Sequence, residues 1–243
     1  MAKKPALSCA FLIDGINLSG DIREVALGRP SALLDATAIN SAAMERLYGP
    51  VDGRMAVVCF FNDATDRAHL TLRTKPAANR VAVFLEGATI GNMAAGLTAK
   101  QMNYDPQRGA DGSLTIPVEC LADGFGLDYC EQLTAGLRTD TAATNGASWD
   151  NGAATSLGLA AYLEVTAFTG TSVTVAIQES SDNAVGDPFA AVVGGAFAAA
   201  SAAGAQRIAT AAGLAVERYL RVVTTGIFTN AIFSVVATRS PVI

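Results

Sequence analysis

Few groups in this chain could carry chemistry. There is one histidine, His69, and any Ser-His-Asp or Cys-His relay would have to be built on it. No G-x-S-x-G elbow occurs. The nearest approach to a phosphate loop, G-A-T-I-G-N from Gly87 to Asn92, lacks the lysine that would reach a phosphate. Carboxylates pair at Asp63/Asp66 and Asp182/Asp187, but both pairs sit among turn formers, where acids cap backbone amides or are simply solvated. The loop S-D-N-A-V-G-D could turn Asp182, Asn183 and Asp187 toward a calcium ion, though without the spacing of a known calcium loop. Cys9, Cys59, Cys120 and Cys130 form no C-x-x-C pair, so a zinc site is not expected. Buried, reduced thiols are the expectation, with Cys120 and Cys130 able to face each other across two strands. The inventory gives no catalytic, cofactor-binding or metal-binding residue, and an enzyme is not expected.

The composition leads the same way. Charged residues make up 16% of the 243 residues, well below the typical ~25%, so much of the surface must be small and neutral. Neighbours can cover such a surface without desolvating many charges. The formal net charge is −5, and lysine and arginine cluster nowhere beyond Lys3-Lys4, so a protein that grips nucleic acid through phosphates is excluded. The longest apolar stretch, Phe189 to Ala205, is short for a spanning helix and rich in alanine and glycine, so no membrane insertion is expected. A strand, a Gly-Gly turn and a second strand or exposed loop suits it better.

The elements read as mainly β. Phe11 to Phe61 runs through an apolar strand, a polar turn at Asp14-Gly15, a second strand after Asp21, a small-residue excursion, and a return strand M-A-V-V-C-F-F. One helix is expected near residues 62–76, capped by Asn62, Asp63 or Thr65 and stopped by Pro76. Strands are expected at Val81–Leu85, Leu97–Tyr104, Ser113–Leu121 and Leu127–Leu133, with Pro117 demoting the third to an edge or bulge. Residues 139–156 read as a linker, poor in large apolar groups. From Leu157 the alternation suggests several short strands, broken by T-G-T-S and by Thr225-Gly226. The expected organisation is residues 1–138, a linker at 139–156, and a C-terminal Ig-like or jelly-roll β-sandwich at 157–243.

Three segments resemble the tail tube (major tail) proteins of long-tailed bacteriophages. They are D-G-I-N-L-S-G-D-I-R-E-V from Asp14, D-A-T-A-I-N-S-A-A-M-E-R-L-Y-G-P-V-D-G-R-M-A-V from Asp35, and A-K-Q-M-N-Y-D-P-Q-R-G-A-D-G-S-L-T-I-P-V from Ala99. Their order and spacing, over about half the chain, carry the likeness. Met44, Glu45 and Arg46 depart from the threonine-rich run expected there, and the C-terminal region is an addition to a minimal tube protein. The resemblance implies a tail-tube-like β-sandwich or barrel with one flanking helix. It implies six copies in a ring, rings stacked as a tube, and a conduit for double-stranded DNA in a virion assembled after synthesis in the bacterial cytoplasm. Partners would be the chain itself and other tail proteins such as the tape measure and terminator, with DNA passing non-specifically and no cofactor.

Within that picture the excursion from Asp35 to Gly53 is the expected self-assembly arm. Ile39, Met44, Leu47 and Tyr48 would be its apolar anchors, Arg46 an ion-pair partner, and Asp35 its first residue. The alternative is a tail-tip or capsid decoration protein whose C-terminal sandwich binds host surface glycan. That reading would call on Tyr162, Phe168, Phe189, Phe197, Tyr219, Phe228 and Phe233, most of which alternate as core residues.

Overall fold

A computed structural model describes residues 8–239. In chain order the strands and helix are β1 (Ala10–Ile13), β2 (Ile16–Asn17), β3 (Ile22–Gly28), β4 (Ser31–Asp35), β5 (Arg46–Val51), β6 (Arg54–Phe60), α1 (Ala68–Leu72), β7 (Arg80–Leu85), β8 (Met93–Gln101), β9 (Gln107–Arg108), β10 (Leu114–Ala122) and β11 (Asp128–Gln132). They continue with β12 (Arg138–Asp140), β13 (Asn145–Asp150), β14 (Ala160–Ser180), β15 (Ala190–Ala196), β16 (Gly204–Ala209) and β17 (Tyr219–Thr238). The chain is mainly β with one short helix, as its alternating apolar pattern dictates. Fifteen strands form one hydrogen-bonded network whose main path runs β15-β14-β17-β11-β8-β10-β6-β3.

The helix is shorter than the window of residues 62–76 suggested. Asp66 takes a left-handed conformation (φ 56°), which interrupts any helix begun at Asn62 or Asp63. The Ala68 N–H instead donates to Asp21 Oδ2 at 3.1 Å, and Asn62 Nδ2 donates to Asp21 Oδ1 at 2.9 Å. One carboxylate from the β2–β3 turn thus organises the approach to α1. At the other end Arg80 Nη2 donates to the Thr71 and Thr74 carbonyls, and Gln101 Nε2 to the Leu72 carbonyl. These side chains satisfy carbonyls that a helix end leaves open.

Pro117 does not mark an edge strand. β10 pairs with β6 from Thr115 to Leu121, and on its other side meets β9 at Leu114–Thr115 and β8 at Cys120–Ala122. Pro117 falls in the gap between those two short ladders, where a missing N–H breaks no strand pairing. Cys120 and Cys130 do not face each other. They flank β8 on opposite sides, Cys120 beside Gln101 and Cys130 beside Ala94, and all four thiols are free. Burial pushes the Cys59 thiol up to about 12 and Cys120 to about 11, so neither is a thiolate at neutral pH.

The C-terminal region departs most from the short-strand expectation. β14 and β17 are single strands of 21 and 20 residues, paired antiparallel from Ala160↔Thr238 to Ser180↔Tyr219. The T-G-T-S and Thr225-Gly226 segments are not chain reversals. They lie within this ribbon, T-G-T-S at its register shifts between Thr169 and Ser172. Gly226 (φ 121°) leaves no room for a side chain: a Cβ there would come within 2.3 Å of the Ser172 carbonyl oxygen. Residues 139–156 are likewise not free chain. β12 and β13 pair along β17, and Arg138 holds Asp140 through two hydrogen bonds of 2.8 and 2.7 Å while Thr224 donates to the same carboxylate.

The first stretch of β14, residues 160–165, is buried on both faces. Leu159, Ala161, Leu163 and Val165 join a core with Val173, Val175, Phe197, Val222 and Phe233. Tyr162, on the opposite face, packs with Leu12, Val83, Leu85, Ala94, Cys130 and Val236. That second cluster joins the N-terminal strands to the ribbon. At its centre the Tyr162 hydroxyl donates to Asp128 Oδ2 at 2.7 Å, and Arg207 Nε donates to the Tyr162 oxygen at 3.1 Å. Arg207 Nη2 lies 3.5 Å from the same Asp128 oxygen, and its guanidinium stacks 3.7 Å over the Phe125 ring. Burial and the adjacent Asp128 charge push the Tyr162 hydroxyl pKa upward, so it stays a donor. Tyr162→Phe is expected to lower stability by roughly 1–3 kcal/mol, because it removes a donor from a fully buried carboxylate. Equilibrium urea unfolding of the two proteins measures this.

Candidate assembly interface

The β3–β6 hairpin continues beyond the sheet. Its ladder reaches Gly28↔Arg54, the Asp52 N–H donates to the Pro30 carbonyl at 2.8 Å, and β4 and β5 then pair from Ser31↔Val51 to Asp35↔Arg46. Among the described residues β4 and β5 pair with no other strand. The G-P-V-D-G segment is therefore the root of this ribbon, with Pro50 inside β5, where the open outer edge needs no N–H. Gly53 fixes the base, its backbone lying against that of Leu127.

Directly opposed residues of an antiparallel pair share a face, and successive residues alternate. Leu33 opposes Tyr48 on one face, and Leu34 opposes Leu47 on the other. All four are exposed, Tyr48 at 89% and Leu33 at 63%. The ribbon is thus apolar on both faces and covered on neither. An isolated two-stranded ribbon is marginal in water, and each such side chain gains roughly 1.5–3 kcal/mol when fully buried.

The tip is held by its own hydrogen bonds. The Ala36 N–H donates to the Glu45 carbonyl, the Glu45 N–H to Thr37 Oγ1, and Ser41 Oγ to Glu45 Oε1, each at 2.9 Å. Asp35 accepts from the Thr37 N–H at 2.9 Å, and hydrogen bonds from Thr37 hold its carboxyl below the usual range. Arg46, expected as an ion-pair partner, forms no ion pair among the described residues; its Nη2 lies 3.4 Å from Met44 Sδ. Of the residues singled out from sequence, Leu47 and Tyr48 stand in the paired ribbon, Asp35 opposes Arg46, Met44 lies beside Arg46, and Ile39 stands fully exposed at the tip. Leu33 and Leu34 were missed. Their signal was the alternation of S-A-L-L-D read as a strand facing R-L-Y.

Other candidate groups are already engaged. His69 Nδ1 lies 2.5 Å from the Tyr104 hydroxyl, with the Phe61 ring centroid 4.6 Å from its own. Asp182 Oδ1 accepts from the Ala184 and Asp187 amides, and Asp187 Oδ2 from the Ser181 amide, so that loop is closed by backbone donors. Among the described residues no cluster of histidine, cysteine, aspartate or glutamate could hold a metal, and no helix is long and apolar enough to cross a membrane. Of the aromatics a glycan platform would use, Tyr162, Phe197, Phe228 and Phe233 are buried.

No protein-family model matches the sequence, and no curated protein matches it. Among solved structures the chain is similar to a chain from the virion of a native gene transfer agent particle, at 12% identity over 52% of this chain and 98% of that one, with a TM-score of 0.39. It is similar to the SPP1 Dit (gp 19.1) protein, described as a hub adsorption apparatus of phages infecting Gram-positive bacteria, at 11% identity over 95% and 99%, with a TM-score of 0.37. It is also similar to a chain of the phage p2 baseplate in its activated conformation, at 10% identity over 95% and 98%, with a TM-score of 0.31. These neighbours come from a gene transfer agent virion and its tail, a phage hub and a phage baseplate. At such identities and scores the likeness says nothing of what this chain binds.

If the ribbon is uncovered in the monomer, changing it leaves the fold alone. The double variant Leu34→Ser, Tyr48→Ser is expected to shift the stability of a dilute, monomeric sample by no more than about 0.5 kcal/mol. Thermal unfolding followed by circular dichroism reads this directly.

Proposed function

We propose that this chain is a structural virion protein of a phage tail, assembling with copies of itself through the β4–β5 ribbon. One observation carries the reading: a ribbon rooted in the sheet, apolar on both faces, with nothing among the described residues to cover it. A ribbon of that kind is stable where neighbours lie against both sides. Head-to-tail contacts that close produce rings, and repetition along an axis produces a tube. The sequence resemblance to tail tube proteins supports hexameric rings stacked as a conduit for double-stranded DNA. The acidic net charge supports it too, since a lumen that does not bind phosphate lets a duplex slide. Other tail proteins would cap or fill such a tube, and no catalysis is assigned to it.

The experiment compares the wild-type chain with a variant in which residues 31–51 are replaced by a short turn joining Pro30 to Asp52. These ends are already hydrogen-bonded across the hairpin, and Gly53 keeps its contact with Leu127. Wild-type protein is expected to form rings or tubes by light scattering and negative-stain microscopy, and the variant to remain a folded monomer. A wild type that stays monomeric at every concentration, or a variant that still polymerises, would refute the reading.

A further inference from the structure

Besides Asp128, the seam between the N-terminal strands and the ribbon encloses a second carboxyl. Glu164 stands on β14 two residues beyond Tyr162, on the same face, and is wholly buried. Its Oε2 accepts the Gly15 N–H at 2.5 Å, and its Oε1 has no hydrogen-bond partner. Gly15 belongs to the β1–β2 turn, where Asp14 and Gly15 have φ of 52° and 81°. That turn is seated so closely that a Cβ on Gly15 would fall 2.3 Å from the Gly204 nitrogen and 2.6 Å from the Val165 oxygen. Glu164 is therefore closed in between one turn and two strands.

Among the described residues no cation pairs with it. From the turn comes Asp14, a second carboxylate, whose charge opposes ionisation of Glu164. From β7 comes Arg80, which lies 3.6 Å from Asp14 Oδ2 and donates to the Thr71 and Thr74 carbonyls. From β16 comes Arg207, diagonal to Glu164 in the β14–β16 ladder, but its guanidinium is taken by Asp128, Tyr162 and the Phe125 ring. On β17 the opposed residue is Ser234, which does not titrate. A carboxylate with one amide donor and no counter-charge is costly to bury, and the neutral acid costs far less.

We propose that Glu164 is a proton-operated latch: protonated, it lets the Asp14-Gly15 turn seat on the ribbon, and ionised, it loosens that seat. Burial pushes its carboxyl well above the usual range, the Gly15 N–H opposes this, and the Asp14 charge adds to it. The folded protein therefore holds this proton more tightly than the unfolded chain. The stabilisation is full below the ordinary glutamate pKa and is lost as pH rises through the raised one. The latch does not depend on the assembly reading.

The test uses the full chain. Thermal unfolding of wild type and Glu164→Gln is compared between about pH 5 and 8, with Asp14→Asn as the control. Wild type is expected to lose about 4 °C or more in Tm relative to Glu164→Gln across that range. Parallel curves, or a gap that closes with Asp14→Asn in place of Glu164→Gln, would overturn the proposal. In wild type alone, the Glu164 carboxyl ¹³C signal is expected to remain that of the acid beyond the pH where other glutamates have ionised. Titration together with those glutamates would overturn it even if the Gln variant failed to fold.

Discussion

The structure depends on one stretch of strand, residues 160–165 of β14, being buried on both faces. β14 places Leu163 and Val165 in the core it shares with β17, and Tyr162 and Glu164 in the seam against the N-terminal strands. A strand so enclosed can carry polar groups only where each is answered from outside itself. Asp128 and Arg207 answer Tyr162, and the Gly15 amide answers half of Glu164. Continuity of hydrogen bonding through β8, β11 and β17 supports the same junction from the sheet side.

The β4–β5 ribbon is under the opposite condition. It holds the same kinds of residue, leucine and tyrosine in cross-strand pairs, but no other element among the described residues lies over them. Its root is firm, through the Pro30–Asp52 hydrogen bond and the contact of Gly53 with Leu127, so its direction is set by the body. The apolar surface is thus presented on a fixed support, which reduces the ordering cost of covering it.

Much of this was legible along the chain. The alternation of apolar residues gave β6, β7 and β10 nearly to their ends, and the Asp14-Gly15 turn was plain from its residue types. The excursion between β3 and β6 was visible as a stretch with apolar residues and no core periodicity, although its division into two paired strands was not. Less visible were β12 and β13. They are edge strands held by main-chain pairing and by ion pairs such as Arg138–Asp140 and Arg218–Asp150, so no burial pattern betrays them.

Residue types and their period determined the class: a mainly β chain, low in charge, with a thin stock of reactive groups and an apolar excursion. Partners distant in sequence decided the rest. Thr225-Gly226 reads as a turn in isolation, yet it continues a strand because the Ser172 backbone occupies the space beside Gly226. The helix begins at Ala68 because Asp21, 47 residues earlier, supplies its acceptor. Glu164 lies in an apolar alternation that cannot reveal whether a cation awaits it. Local preference sets what a segment can form, and only the packed neighbours, through excluded volume and the demand for hydrogen bonds, select which of those forms is kept.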